Sequence, residues 1–297
     1  MRVAITGSSG LVGTALRDSL TADGHQVIRL VRRPAQVPDE VSWDPAIGHL
    51  DPAALNGVEA AVNLAGAGLG ERRWTRDYKQ LIRNSRVGAT RTLAMTLAGL
   101  PEPPRVLVSG SGIDAYGSDH GADILDEDEP TGEGFLAEVF RDWEAAAAPA
   151  VRADIAVCHV RLGPVMTSRG GVLARMLPLF RLGLGGPLAG GEQYWSPVSL
   201  DDTVRALRFL VETHGCAGPY NVTAPEPVTN GEFSRVLARA VGKPAVLPAP
   251  EFALRIRFGG FADRMVNSLR VVPARLLEAG FEHRHPDAPA IITAALR

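Results

Sequence analysis

Residues 6–13 of this chain read Thr6-Gly7-Ser8-Ser9-Gly10-Leu11-Val12-Gly13, between an apolar strand pattern, Val3-Ala4-Ile5, and an amphipathic helix pattern. That placement restricts the fold more than any other feature. A strand that ends in a glycine turn and opens a helix aims several backbone N–H groups, and the positive end of the helix dipole, at one point. Gly7 suits the tight turn, Gly10 leaves the backbone bare for a pyrophosphate, and Gly13 lets helix and strand pack closely. Ser9, Leu11 and Val12 complete the main chain around that anion. Leu11, Val12, Ala15, Leu16 and Leu20 share one helix face, and Gly24 stops the helix. Val27-Ile28-Arg29-Leu30-Val31 then gives a second strand.

In the dinucleotide-binding plan the end of this second strand meets the adenosine ribose. A carboxylate there accepts the 2′-hydroxyl of NAD, whereas arginine suits the 2′-phosphate of NADP. Here the strand runs into Arg32-Arg33 without a carboxylate, and Asp23 lies at the wrong end of the sheet. A charge-assisted bond is worth about 1.5–3 kcal/mol, enough for roughly a ten- to hundredfold preference. The expected cofactor is NADP(H), with Arg32 and Arg33 on its extra phosphate.

Strand and helix patterns continue to alternate through the first half, which predicts a doubly wound parallel sheet. Val58–Ala65, Arg105–Ser109 and Ile155–Leu162 read as strands, the last of them central. Thr75 is placed to cap a long helix with Tyr78, Leu81, Ile82, Leu93 and Leu97 on one side and Arg83, Arg86 and Thr90 on the other. After Gly163 the character changes. The glycine-rich stretch 183–191 suits no element interior. Helices open at Ser199-x-x-Asp202 and at the capping box Thr229-x-x-Glu232, and a short one runs from Pro273 to Ala279. The predicted architecture is α/β: a Rossmann-type doubly wound parallel sheet with a smaller C-terminal α+β lobe. Residues 1–165 form the cofactor domain, with 196–222 returning to it; 166–195 and 223–297 form the lobe.

Composition adds exclusions. With 45% hydrophobic residues, 297 residues bury one large core or a core with an appended lobe. A net charge of −2 gives no reason to expect nucleic acid or an anionic membrane as partner. Cys158 and Cys216 lack C-x-x-C spacing and suit a reducing compartment. No signal peptide or bilayer-length apolar run is read, so a cytoplasmic protein is expected. His159 reads as a satisfied core histidine, and His283 and His285 as lacking a ligand partner, so no metal is expected. Phe252, Ala253, Leu254, Ile256 and Phe258 read as lobe core, Asp44 before Pro45 as an ordinary turn residue, and Asp202 as a helix-dipole partner.

The chain resembles the extended short-chain dehydrogenases/reductases, and more narrowly the nucleotide-sugar-epimerase-like proteins that carry an extra C-terminal domain. The matching segments are TGSSGLVG at 6–13, NLAGAGLGERRWT at 63–75, IRNSRVGATRTL at 82–93, FLAEVFRDWE at 135–144, GLGGPLAGGEQYWSPVSLDD at 183–202 and NVTAPEPVTNGEF at 221–233. The resemblance implies that Asn63-Leu64-Ala65-Gly66 lies along the ribose and nicotinamide side of the cofactor. It implies that Ser109, Arg86, Arg161 and Gly163 border the same cleft. It also implies a small-molecule substrate, with a nucleotide sugar as one form, and a homodimer as one assembly.

One departure concerns catalysis. Ordinary members use a serine and then Tyr-x-x-x-Lys, whose spacing puts phenol and ammonium on one helix face so that the phenolate shuttles a proton. Aligned by Trp143-Glu144, this chain has Leu136 for the tyrosine and Phe140 for the lysine, and no Tyr-x-x-x-Lys anywhere. The serine region survives as VSGSGIDAYG at 108–117. Ser111 is the candidate to polarise a substrate oxygen and Tyr116 the candidate proton donor, with Tyr78 and Asp142 behind them. Two functions stand open: an NADP(H)-dependent oxidoreductase or epimerase, and a non-catalytic NADP(H) sensor.

Overall fold

The computed structural model describes residues 1–245 and 247–297. Seven parallel strands form the main sheet: β1 (Arg2–Thr6), β2 (Gln26–Val31), β3 (Glu40–Ser42), β4 (Ala60–Asn63), β5 (Val106–Gly112), β6 (Ala156–Leu162) and β7 (Gly218–Val222). Their spatial order is β7-β6-β5-β4-β1-β2-β3. The order reverses between β1 and β4, and a crevice opens there at the strands' C-terminal ends. The strand expected to be central, β6, instead lies one from the edge, because only β7 pairs outside it.

Both faces of the sheet are covered, which is why its strands are continuous apolar runs rather than alternating ones. On one face α1 (Leu11–Ala22) and α6 (Leu200–Glu212) place Leu16, Leu20, Leu207 and Leu210 against Val3, Ile5, Val108 and Val160. On the other, α2 (Arg76–Ala98) and α4 (Ala148–Arg152) cover Ala4, Ala61, Leu107 and Val157, and α3 (Phe135–Ala145) packs beside them. Capping follows the sequence: Thr75, Ser199 and Thr229 each accept from the N–H three residues on.

A second cluster lies beyond the sheet's C-terminal edge. It is built from α5 (Gly171–Arg181), α7 (Asn230–Ala240), α8 (Glu251–Phe258), α9 (Phe261–Val266) and α11 (Ala288–Leu296), while α10 (Ala274–Glu278) packs on β7. Its core holds Leu173, Leu177, Phe233, Leu237 and Ile291. Of the apolar run expected to fill this core, only Leu254 is buried; Phe252 and Ile256 sit four residues apart on the exposed side of α8. Among the described residues no helix is long and apolar enough to cross a membrane.

Candidate active site

The opening glycine turn is shaped by contact. Gly7 has φ +65°, and a Cβ on it would lie 2.6 Å from the Leu64 carbonyl oxygen. A Cβ on Gly13 would overlap the Gly7 carbonyl, so α1 can lie this close only with glycine there. Gly10 differs: its N–H donates to Gly7 O at 3.0 Å, and a Cβ would meet nothing else within 4 Å. Ser9 and Gly10 are exposed, Leu11 and Val12 are half-buried against the core, and α1 starts with no side-chain cap. Its first N–H groups therefore face open space, the arrangement that receives a phosphate. A Cβ on Gly170 would lie 3.3 Å from Leu11 Cδ1, so the start of α5 sits close to the turn.

At the adenosine end the two arginines separate. Arg33 donates to both oxygens of Glu40, at 2.7 and 2.6 Å, and Arg29 pairs with the same carboxylate. The Arg33 hydrogen bonds, helped by the Gln36 N–H, hold the Glu40 carboxyl down at about 2. The expectation of a carboxylate-free strand end is thus corrected: β3 runs parallel to β2 and brings Glu40 beside Arg29. Arg33 is committed to that carboxylate. Arg32 is exposed and makes no ion pair or hydrogen bond among the described residues, which leaves it as the available guanidinium. Trp43 is buried, and Asp44 accepts from Ala46 N in a turn, as expected of an Asp-Pro step.

The Asn63–Gly66 segment leaves the end of β4 at the crevice. Asn63 itself is fully buried: Thr6 Oγ1 donates to its Oδ1 at 2.6 Å and its amide donates to Thr90 Oγ1 at 2.6 Å. It ties β1, β4 and α2 together from a fully buried position, so its expected direct contact is corrected to a supporting one. Leu64 and Ala65 are half-buried and Gly66 is exposed, leaving their main chain to border the crevice. Ser109 is also fully buried, with no partner for its Oγ among the described residues, so its expected contact with the cofactor is corrected. Gly163 is required by packing, since a Cβ would overlap the Ser196 carbonyl.

The catalytic candidates are enclosed too. Ser111 Oγ donates to Glu144 Oε1 at 2.7 Å, and Arg161 donates to both oxygens of Glu144, at 3.0 and 3.1 Å. Burial works against the Glu144 charge, but Arg161 and Ser111 outweigh it and hold the carboxyl below its ordinary value. Arg161 is 5% exposed and its guanidinium is committed to Glu144, so its expected contact with the cofactor is corrected to a supporting one. Tyr116 is 1% exposed, its hydroxyl donates to Asn221 Oδ1 at 2.8 Å, and the Arg161 guanidinium lies 4.9 Å over its ring. Burial pushes its phenol up. A phenol locked inside the protein and harder to ionise than usual does not serve as a proton shuttle, which corrects the reading of Tyr116. Tyr78 is equally committed, donating to Gly68 O at 2.5 Å, and Asp142 pairs with Arg83 at the surface. His159 is half-buried with an unpartnered Nδ1, so it is not the satisfied core histidine expected.

Where the usual dyad would stand there is apolar packing. Phe140 stacks on Trp143 with ring centroids 5.7 Å apart, and Trp143 Nε1 donates to Thr90 Oγ1. Leu136 instead lines a cleft of about 200 Å³ with Trp74, Lys79, Phe135, Asp114 and Arg264. Asp114, in the single turn after β5, accepts from Arg264 Nε at 2.8 and 3.0 Å. This ion pair joins the sheet to α9. Sequence reasoning passed over both residues: Asp114 lies inside the quoted serine segment, but nothing local marks Arg264 as its partner.

A further acidic group comes together at the start of α6. Asp201, Asp202 and His285 offer ligand atoms within 4.8 Å of one another, which corrects the view that His285 lacks a carboxylate neighbour. Asp202, however, is 1% exposed and accepts from Arg205, Arg284 N and His285 N. It anchors the chain before α11 rather than answering only the helix dipole.

The family model described as the NAD dependent epimerase/dehydratase family matches residues 3–223, and one described as a domain of unknown function (DUF1731) matches 249–295. Epimerase family protein Mb2239 of Mycobacterium bovis is 42% identical over 284 residues, covering 95% of this chain and 93% of that protein. Human epimerase family protein SDR39U1 is 34% identical over 296 residues, 98% of each chain. The crystal structure of human SDR39U1 (isoform 2) with NADPH superposes with a TM-score of 0.92, at 32% identity over 99% of both chains. A nucleoside-diphosphate sugar epimerase from Corynebacterium glutamicum superposes at 0.83 and 34% identity, covering all of this chain but 58% of that one. With its glycine turn, its switch-point crevice and a family match over most of its length, this chain belongs to the NAD dependent epimerase/dehydratase family.

Proposed function

We propose that the chain binds NADP(H) and transfers hydride between its nicotinamide and a small polar carbonyl or hydroxyl compound. The observation that carries this is the pairing of an uncapped, open glycine turn with a guanidinium, Arg32, left free at the end of β2. The likeness to the human protein crystallised with NADPH supports the same cofactor. Gly10 and the first N–H groups of α1 would hold the pyrophosphate, Arg32 the 2′-phosphate, and the Leu64–Gly66 main chain the nicotinamide ribose. The cofactor supplies the hydride. Asp114, one of the residues lining the cleft, presents a carboxylate that would accept the hydrogen bond of a substrate hydroxyl, with Arg264 fixing its orientation.

A second reading is favoured by one observation, the apolar packing of Leu136 and Phe140 where the dyad would stand. In that reading the chain senses NADP(H) and reports its state to a partner. Fluorescence titration with NADPH and NADH, followed by a turnover panel of small carbonyl and hydroxyl compounds, separates the readings. Hydride transfer by wild type that Asp114→Asn lowers at least tenfold supports the enzyme. Tight NADPH binding without turnover supports the sensor, and no binding of either coenzyme ends both.

A further inference from the structure

Arg86 is the least satisfied buried cation of the crevice. Its side chain, from α2, is 7% exposed. Nη1 donates to the carbonyls of Ala67, at 2.9 Å, and Ile82, at 3.2 Å. Among the described residues Nε is buried without a partner and Nη2 makes no hydrogen bond. The guanidinium lies 5.1 Å over the Trp143 ring and about 3.1 Å from where a Gly66 Cβ would stand, so it is clamped between an indole and the loop that borders the crevice. Among the described residues no carboxylate pairs with it: Asp114 is near enough to feel its charge but is held by Arg264. Burial is strong enough to bring its ordinarily very high pKa down to about 10. A cation taken this far from water without a counter-ion is costly, and a ligand that supplies the anion recovers that cost.

The cofactor is a poor source of it. Its phosphates belong at the glycine turn and at Arg32, and the nicotinamide end carries no negative charge. The missing anion therefore has to come from the substrate. We propose that Arg86 is a substrate-binding residue that receives a carboxylate, so that the compound held beside the nicotinamide is a small oxo- or hydroxy-carboxylate. This inference rests on the NADP(H) reading and narrows its substrate. The fixed guanidinium plane suits both oxygens of one carboxylate, which Lys would not reproduce. Asp114 would then face the oxygen-bearing carbon rather than the carboxylate, since two like charges would repel.

The test uses full-length protein saturated with NADPH. Acetate, 2-oxobutyrate and oxalate are titrated against their matched amides and esters, with NADPH fluorescence and melting temperature as readouts. Wild type should prefer at least one acid over its neutral match by about ten- to a hundredfold, and Arg86→Gln should abolish that preference while NADPH affinity stays within about threefold. Arg86→Lys, which keeps the charge, should retain part of it. Equal binding of acids and neutral matches by wild type, or a preference that survives in Arg86→Gln, overturns the proposal. So does loss of NADPH binding by Arg86→Gln with an unchanged melting temperature, since Arg86 would then be a cofactor contact. Failure of wild type to bind NADPH sinks the parent reading instead, and is recognised before any acid is added.

Discussion

Arg264 Nε reaches both carboxylate oxygens of Asp114, at 2.8 and 3.0 Å, across 150 residues of sequence. One partner stands at the end of β5 and the other on α9, so the pair fixes how the C-terminal cluster sits over the cleft. Asp114 is 5% exposed, and removing Arg264 strands its charge. Arg264→Ala should therefore lower unfolding stability by about 1–3 kcal/mol, read from urea melts. Asp114→Asn keeps a hydrogen-bonding side chain and should cost less. Equal stability of Arg264→Ala and wild type would remove the pair from the account of the cleft.

The three glycines of the turn should not respond alike. Gly13→Ala drives a methyl into the Gly7 carbonyl, and backbone cannot step aside cheaply, so a loss of about 1–3 kcal/mol is expected together with weakened NADPH binding. Gly10→Ala meets only Gly7 O, at 3.3 Å, and should fold nearly as wild type. Its methyl points where the pyrophosphate would approach, so its NADPH affinity should fall tenfold or more. A normal affinity in a folded Gly10→Ala protein would place the pyrophosphate elsewhere.

Local patterns made the first half of the molecule legible: a short apolar strand run, a glycine turn and a 3.6-period helix are each written in adjacent residues. The caps at Thr75, Ser199 and Thr229 were readable for the same reason. What could not be read was pairing across the fold. Glu40 lies seven residues past Arg33, yet only the parallel register of β2 and β3 brings it there. Ser111 and Tyr116 stand out by residue type and neighbourhood, but Glu144 and Asn221 occupy their hydroxyls from 33 and 105 residues away. Phe252 and Ile256 were misplaced because a short apolar run carries no sign of which face is covered.

Arg32 and Arg33 should separate in the same way. Arg32→Ala should reduce the preference for NADPH over NADH by about ten- to a hundredfold with little change in stability. Arg33→Ala should instead loosen the 33–42 segment. The Glu40 carboxylate gives a pH signature with a definite sign. Its folded-state value, about 2, is depressed from an ordinary 4.5, so its contribution is complete above pH 4.5 and is lost as pH falls toward 2. The difference in melting temperature between wild type and Glu40→Gln should stay constant from pH 7 to 5 and shrink below that. A difference that grows on acidification would contradict the pairing.

Tyr116 and Ser111 decide whether the serine segment still carries chemistry. Tyr116→Phe removes one hydroxyl and leaves Asn221 Oδ1, which is buried, without its donor; the Asn221 amide keeps its bond to Val272 O. A loss of about 1 kcal/mol is expected, with NADPH affinity unchanged. Ser111→Ala leaves Glu144 still gripped twice by Arg161, so it should cost no more. Neither change should slow hydride transfer to any compound the protein accepts, because neither hydroxyl reaches the cleft. A tenfold fall in turnover by Tyr116→Phe, at unchanged stability and NADPH affinity, would mean that the single turn after β5, residues 113–116, opens during reaction and that the buried phenol is the proton donor after all.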